Sequence, residues 1–270
     1  MPDEHGGREG APPGETKSGE TAFTHVENVM GTVVSFTVVP GGTPVPAARA
    51  AVEAACRVLH RADAVFSTWN PASPVSRLRR GEVMLDMTPA EVAEVLTLCQ
   101  AAREASEGWF DPWALPGGVD PTGLVKGWAV ERAAGVLQRA GVDAALVNGG
   151  GDLTVFGSPA PGRRWRVGIR HPWRPDALAC VVQPRAAVAT SADYERGAHL
   201  VNPWTGRPAT GIASATVTGP SLALADALAT AVAVGSDQAL RAVGALDGYE
   251  AYLIRADGSE ADTGGMEFAS

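Results

Sequence analysis

Residues 126–156, KGWAVERAAGVLQRAGVDAALVNGGGDLTVF, pass from a helical pattern directly into two strands. The first part carries apolar residues at helical spacing over residues 126–140 and then reaches a glycine, which predicts an amphipathic helix. The second part predicts two short strands, 145–147 and 153–156, on either side of a glycine-rich segment. Neighbouring strands after one helix do not follow the regular alternation of a parallel sheet. This segment therefore favours an α+β or mixed arrangement.

The rest of the chain shows the same grouping of helices and strands. Upstream, Thr88 is the expected N-cap of a helix, Glu91 completes its capping box, and Gly108 stops it. Downstream, Ser221 is the expected N-cap of a longer helix, and a short helix follows Ser236. The remaining predictions are a helix over 47–64 and strands over 32–39, 165–170, 178–183, 186–190, 214–218 and 250–255. We expect one compact, two-lobed α+β body, with helices packed on a mixed or antiparallel sheet.

The two ends of the chain differ in composition from this body. Residues 1–22 are polar and rich in glycine and proline, so we expect a disordered tail without a secretory signal. The folded domain is expected to span 23–258, and residues 259–270 are expected to fray.

Charge and cysteine content exclude several classes of protein. The chain has 22 basic and 30 acidic residues and a formal net charge of -8, which argues against a general nucleic-acid binder. No apolar run approaches the roughly 20 residues of a membrane-spanning helix. The three cysteines, Cys56, Cys99 and Cys180, are far apart and show no CxxC spacing, which favours reduced thiols over disulfides or a zinc site. We therefore expect a cytoplasmic protein that does not span a membrane.

A lysine in the segment DPTGLVKGW, residues 120–128, is the first candidate for chemistry. The chain has only two lysines, Lys17 and Lys126, and the second lies where a helix is expected to begin. Helix N-termini favour anions, so a lysine there is easier to explain as a phosphate ligand than as a helix stabiliser. The glycine spacing is not that of a Walker A motif.

Four other segments could bind or could be purely structural. Trp69 could stack on a planar ligand or pack in a loop. The glycines of NGGGD, residues 148–152, allow close approach of a ligand or form a tight turn, with Asp152 as a local hydrogen-bonding residue. Asp226 and Thr230 share one helix face, where they could bind a hard cation such as Mg²⁺ or be satisfied by protein groups. His199 could be a general base or a structural histidine.

Taken in order, these segments resemble the FAD:protein FMN transferase family, the ApbE-like proteins. The resemblance covers about residues 28–256. It is carried by Met30-Gly31-Thr32, FSTWNPASPVSRL (66–78), GWFDP (108–112), DPTGLVKGWAVERA (120–133), LVNGGGD (146–152), ATSADYER (189–196), HLVNPWTGRP (199–208) and ADALATA (225–231). Two departures from the family's pattern are Ala192, where a glycine is usual, and Asn202, where an aspartate is usual.

The resemblance implies an enzyme that binds FAD with Mg²⁺ and transfers FMN to a serine or threonine of an acceptor protein, releasing AMP. It implies metal ligation by the Gly123 carbonyl and by the Asp226 and Thr230 side chains, with Asp226 or His199 removing the hydroxyl proton. The residues implied to line the FAD site are Met30, Trp69, Phe110, Asp111, Asp120, Lys126 and His199. Two alternatives are an Mg²⁺-dependent FAD pyrophosphatase, which gives FMN and AMP, and a non-catalytic FAD-binding protein.

Overall fold

An eight-stranded antiparallel sheet forms the centre of the computed structural model, which describes residues 22–114, 117–192 and 200–269. Its strand order is β1-β2-β3-β4-β7-β8-β9-β10, and β5 and β6 form a separate hairpin. The strands are β1 (Phe23–Val29), β2 (Thr32–Val39), β3 (Ala144–Gly149), β4 (Asp152–Phe156), β5 (Val167–His171), β6 (Arg174–Val182), β7 (Ala187–Ala192), β8 (Ile212–Gly219), β9 (Glu250–Arg255) and β10 (Glu260–Asp262). The predicted α+β class is confirmed, and the pairings within the sheet are antiparallel.

Five α-helices accompany the sheet within the described residues: α1 (Val45–Phe66), α2 (Pro74–Arg79), α3 (Ala90–Ala105), α4 (Thr122–Arg139) and α5 (Leu222–Gly244). Helix α4 packs between α1 and α5, and α5 also lies against strands β7, β8 and β9. The main apolar core fills the space between these helices and the sheet, with Phe36, Leu59 and Leu228 fully buried. No described helix combines the length and apolarity that crossing a membrane requires.

A second, smaller core lies around the β5–β6 hairpin. Val167 and Ile169 of β5 and Val182 of β6 pack with Val155 of β4 and Ile254 of β9. Alternating burial along β5 turns these apolar residues toward the core, whereas Arg166 and Arg170 face outward. Helices therefore pack against the sheet in the main core, and the hairpin packs against it in the second core.

The beginnings of two helices differ from the prediction. Helix α4 begins at Thr122, one turn before Lys126, because Oδ1 of Asp120 accepts hydrogen bonds from the N–H and hydroxyl of Thr122. Thr88 is not an N-cap: its hydroxyl donates to the Leu85 carbonyl of a preceding 3₁₀ turn, and α3 begins at Ala90 without a side-chain cap.

Two sequence predictions for α5 are confirmed. The Ser221 hydroxyl accepts a hydrogen bond from the N–H of Leu224 and so caps α5. Ser236 interrupts α5 with a φ of 50° and a ψ of -130°, at the place where the sequence predicts the start of a separate short helix.

The C-terminal prediction is wrong, since residues 260–262 form β10 and pair with β9. Met266 is 7% exposed in the second core, and Phe268 forms a bridge with Val182. The sequence did not predict this strand because the segment is polar, contains glycine and has only a few apolar residues, which are spaced irregularly. The predicted N-terminal tail lies, apart from Ala22, outside the described residues.

Candidate functional site

The candidate site begins at the crossing of α4 and α5, where Gly127 allows close approach. A Cβ at this position would lie 2.5 Å from the Leu222 carbonyl oxygen and 2.9 Å from the Asp226 Cβ. The N–H of Gly127 instead donates to Oδ2 of Asp226 at 2.9 Å, and this carboxyl group is buried. The glycine therefore places the Asp226 carboxyl against the backbone of α4.

One turn along each helix, Gly123 and Thr230 continue this contact. A Cβ on Gly123 would lie 3.7 Å from the Thr230 hydroxyl and 3.2 Å from the ring of Phe110, which is buried. The Thr230 hydroxyl also forms a hydrogen bond of 3.2 Å with the hydroxyl of Ser191 on β7. The structure thus brings Gly123, Asp226 and Thr230 together, the three residues that the family resemblance implies as metal ligands.

An ion pair between partly buried Lys126 and buried Asp152 adjoins this crossing. Lys126 Nζ lies 2.5 Å from Oδ2 of Asp152, and Asp152 is 1% exposed. The other carboxylate oxygen of Asp152 accepts a hydrogen bond from the N–H of Thr190 at 2.9 Å. Asp152 starts β4 directly after Gly151, whose positive φ of 101° closes the turn from β3. The glycine-rich segment therefore forms a tight turn and also presents a charged partner to Lys126.

The electrostatics of this centre are dominated by two neighbouring carboxyl groups. Burial raises the pKa of Asp226 well above its ordinary value, and the adjacent Asp152 carboxylate raises it further. Lys126 and the Gly127 N–H act in the opposite direction but do not cancel these effects. A second positive charge beside Asp226 would relieve the repulsion, so the arrangement suits a cation with oxygen ligands.

A cleft of about 410 Å³ lies between the β5–β6 hairpin and the sheet, on the side of the second core. Its walls include the β3–β4 turn at Asn148 and Gly151, the consecutive residues 166–170 with Arg166 and Arg170 at their ends, and Thr190 of β7. The backbone N–H of Thr190 donates to Asp152, but successive strand residues point to opposite faces, so the Thr190 side chain, bonded to Thr216, lies on the other side of the sheet from the α4–α5 crossing. Two guanidinium groups on one wall make it suitable for an anionic or planar ligand.

A comparison with protein families identifies the chain. The model of the ApbE family matches residues 30–117 and 114–253, which is most of the sequence. The chain belongs to the ApbE family.

Three curated relatives of this ApbE family chain carry the name FAD:protein FMN transferase. The protein of Rhodobacter capsulatus is 35% identical over 151 residues, which cover 52% of this chain and 29% of the relative. The protein of Vibrio cholerae is 31% identical over 163 residues, 56% of this chain and 48% of the relative. The protein of Escherichia coli K12 is 30% identical over 156 residues, which cover 54% of this chain and 44% of the relative. The matched part thus spans less than half the length of these relatives.

Solved structures show the same fold as this ApbE family chain. The flavin transferase ApbE from Vibrio cholerae aligns with a TM-score of 0.75 and 21% identity, covering 90% of this chain and 97% of that one. The ApbE protein of Thermotoga maritima aligns with a TM-score of 0.76 and 23% identity over 89% and 96%. The apo flavinyl transferase ApbE of Pseudomonas stutzeri gives a TM-score of 0.77 and 21% identity over 92% and 97%.

The other candidate residues of the ApbE family pattern have different surroundings. Met30 occupies the β1–β2 turn with a positive φ of 55°, and Trp69 is 95% exposed in the loop after α1. Asp111 pairs with Arg103 at 2.8 Å, and Asp120 pairs with Arg79 at 3.1 Å. Both carboxylates therefore already have cationic partners. The predicted general-base candidate His199 lies outside the described residues.

Asp152 is the main residue of the centre that the sequence analysis did not select. Its turn pattern indicates a local hydrogen-bonding residue, although it pairs with Lys126 from a different element. Ser191 likewise stands out only as part of a polar segment. The available signal was an acidic residue at the start of an otherwise apolar strand, since such a residue requires a buried partner.

Proposed function

We propose that this protein catalyses Mg²⁺-dependent transfer of the FMN part of FAD to a serine or threonine hydroxyl of an acceptor protein, with release of AMP. The observation that carries this proposal is the juxtaposition of Asp226, Thr230 and Gly123 beside Lys126. The names of the curated relatives support the transfer of FMN from FAD to protein.

The residues present fit a magnesium ion. In a regular helix the N–H of Gly127 donates to the carbonyl of Gly123; sharing this N–H with Asp226 weakens that bond and frees acceptor capacity on the carbonyl oxygen. The Asp226 carboxyl is buried beside a second carboxyl, and the Thr230 hydroxyl lies one turn away. A carboxylate, a hydroxyl and a carbonyl form the oxygen-only ligand set that Mg²⁺ prefers.

The chain's own groups would then bind and orient the pyrophosphate of FAD. A bound Mg²⁺ would supply Lewis-acid neutralisation of the phosphate charge. Lys126 offers a second positive charge, and its pairing with the fixed Asp152 carboxylate orients the ammonium group toward the crossing. Positioning and charge neutralisation are most of what phosphoryl transfer requires from a protein.

The remaining family residues are proposed to shape the flavin site. Met30, Trp69 and Phe110 would contact the flavin nucleotide, while Asp111 and Asp120 would line the site as members of ion pairs with arginines. The proton of the acceptor hydroxyl would pass to Asp226 or to His199. The bond from the acceptor oxygen to the FMN phosphorus forms as the bond to AMP breaks.

The proposed compartment is the cytoplasm, with an acceptor protein or domain on the cytoplasmic side. Cys56, Cys99 and Cys180 are unpaired thiols, as expected where thiols stay reduced.

Incubation of the purified protein with FAD, Mg²⁺ and a candidate acceptor domain tests the proposal. A gain of one FMN in the acceptor's mass together with free AMP supports transfer. AMP with free FMN indicates a pyrophosphatase, and bound intact FAD indicates a binding protein. EDTA should stop the reaction, and added Mg²⁺ should restore it.

Paired variants of α5 separate the metal site from general effects of charge. Asp226→Asn should lower AMP release by about a hundredfold or more, because the amide cannot replace the buried carboxylate as a metal ligand. Asp237→Asn makes the same change at an exposed position of α5 and should leave the rate unchanged. Equal rates in both variants would remove Asp226 from the metal site.

A further inference from the structure

A second group of ligand-type side chains lies between β1 and α1. His25 and Glu27 are two residues apart on β1 and share the face that the alternating burial turns toward α1. Cys56 and His60 are one turn apart on α1 and share a helix face. The two elements thus place four side chains with metal-binding chemistry in one cluster.

Two of the spacings between ligand atoms in this cluster match tetrahedral coordination. His25 Nε2 lies 3.5 Å from Cys56 Sγ and 3.5 Å from Glu27 Oε2. Zn–N distances of about 2.0–2.1 Å and Zn–S distances of about 2.3 Å separate tetrahedral ligand atoms by roughly 3.3–3.6 Å. One ligand atom from each of the three residues lies within 4.8 Å of the others. Small side-chain adjustments would therefore complete a coordination triangle.

His60 acts on this triangle through Glu27. Its Nε2 lies 2.8 Å from Oε1 of Glu27, which leaves the other carboxylate oxygen directed at His25. Hydrogen bonds of this kind orient metal-binding carboxylates and strengthen their sites.

The donor atoms of the cluster also suit zinc. Imidazole nitrogen, carboxylate oxygen and cysteine sulfur are the three ligand types that zinc binds in proteins. Binding would displace the thiol proton of Cys56, and the metal would compensate the buried thiolate.

We propose that His25, Glu27 and Cys56 form a zinc site, with His60 orienting Glu27 and water in the fourth position. The ligand set contains nitrogen and sulfur, unlike the oxygen set at Asp226, so the two sites select different metals. Zinc here would connect the edge strand β1 to α1, away from the α4–α5 crossing. The site rests on contacts independent of those that support FMN transfer.

The sequence did not indicate this site because its two halves are far apart. His-x-Glu on a strand and Cys-x-x-x-His on a helix are each weak patterns, and the absence of CxxC argued against zinc. Only the packing of β1 on α1 brings the halves together.

Cobalt and zinc titrations of the full chain test the proposal, in a reducing buffer with excess Mg²⁺ to saturate the oxygen site. Co²⁺ should produce a thiolate-to-cobalt charge-transfer band that saturates at one equivalent and disappears when Zn²⁺ is added. Cys56→Ser should abolish the band. Cys180→Ser, a matched change at another thiol, should retain it.

Two further variants keep the test decisive if Cys56→Ser folds poorly. Glu27→Gln preserves shape at a partly exposed position and should weaken Zn²⁺ binding by about tenfold or more. His60→Gln should weaken it by about 10–100-fold, as expected for loss of an orienting hydrogen bond. The absence of a thiolate band, its persistence in Cys56→Ser, or unchanged Zn²⁺ affinity in Glu27→Gln would overturn the proposal.

Discussion

The backbone N–H of Gly127 in α4 donates to Oδ2 of Asp226 in α5 at 2.9 Å. The two residues are 99 positions apart, and the bond exists because residue 127 has no side chain. This contact fixes the carboxyl group on which the proposed chemistry depends.

Gly127→Ala should therefore damage both stability and activity. The added Cβ would lie 2.5 Å from the backbone oxygen of Leu222, so α4 and α5 must separate. We expect a loss of about 1–3 kcal/mol in the free energy of unfolding, measured with urea, and a loss of FMN transfer.

Gly135→Ala is the matched control for this change on the same helix. Its Cβ would meet only the flexible end of Arg139, so the better helix propensity of alanine should stabilise the protein by about 0.5–1 kcal/mol. Similar effects of the two substitutions would contradict the role of Gly127 in the helix crossing.

Lys126→Arg should lower the affinity for FAD although the charge is preserved. The compact ammonium group of Lys126 contacts the buried Asp152. A guanidinium group is larger and planar, so it would not occupy the same position. We expect a loss of about tenfold, or about 1.4 kcal/mol, in FAD binding measured by calorimetry. Arg139→Lys at the exposed end of α4 should have no effect, and wild-type affinity in Lys126→Arg would disprove the specific need for lysine.

Met266→Ala should destabilise the protein, because the C-terminal segment contributes to the second core. Met266 is 7% exposed, and truncation of a buried methionine costs about 2–5 kcal/mol. Met84→Ala removes the same atoms from a side chain that is 70% exposed and should change the unfolding free energy by less than about 0.5 kcal/mol. Equal urea midpoints for both variants would mean that residues 259–269 do not stabilise the fold.

Cys180 should react slowly with iodoacetamide at neutral pH. Burial, followed by the charge of Glu260, raises its pKa from 9.0 to about 11. Because the thiolate is the reactive form, the raised pKa leaves roughly a hundredfold less thiolate at pH 8 than an ordinary cysteine has. The rate, followed by mass spectrometry, should keep rising between pH 9 and 10.5; a plateau by pH 9.5 would contradict the shift.

Much of the fold and part of the site could be predicted because their signals are local. The β3–β4 hairpin follows from glycines between apolar runs, and the Ser221 cap follows from a hydroxyl before an apolar helix. Asp226 and Thr230 could be paired from their helical spacing alone. These features depend on a few consecutive residues.

The remaining features depend on contacts between distant segments. The Lys126–Asp152 pair joins a helix to a strand, and no spacing rule relates the two positions. Helix α4 starts earlier than predicted, at Thr122, whose N–H donates to the side chain of Asp120, and Asp120 is itself ion-paired with Arg79. The cluster of His25 and Cys56 likewise becomes visible only when β1 lies on α1.

Strands β4 and β7 are neighbours in the sheet although the β5–β6 hairpin separates them in the chain. The hairpin is thus an insertion: the chain leaves the sheet after β4 and returns to it at the neighbouring strand β7. Arg166, just before β5, and Arg170, within it, belong to no strand of the eight-stranded sheet, and both line the cleft. Substitutions in this one segment can therefore change the lining of the cleft, while the α4–α5 crossing stays under a separate constraint.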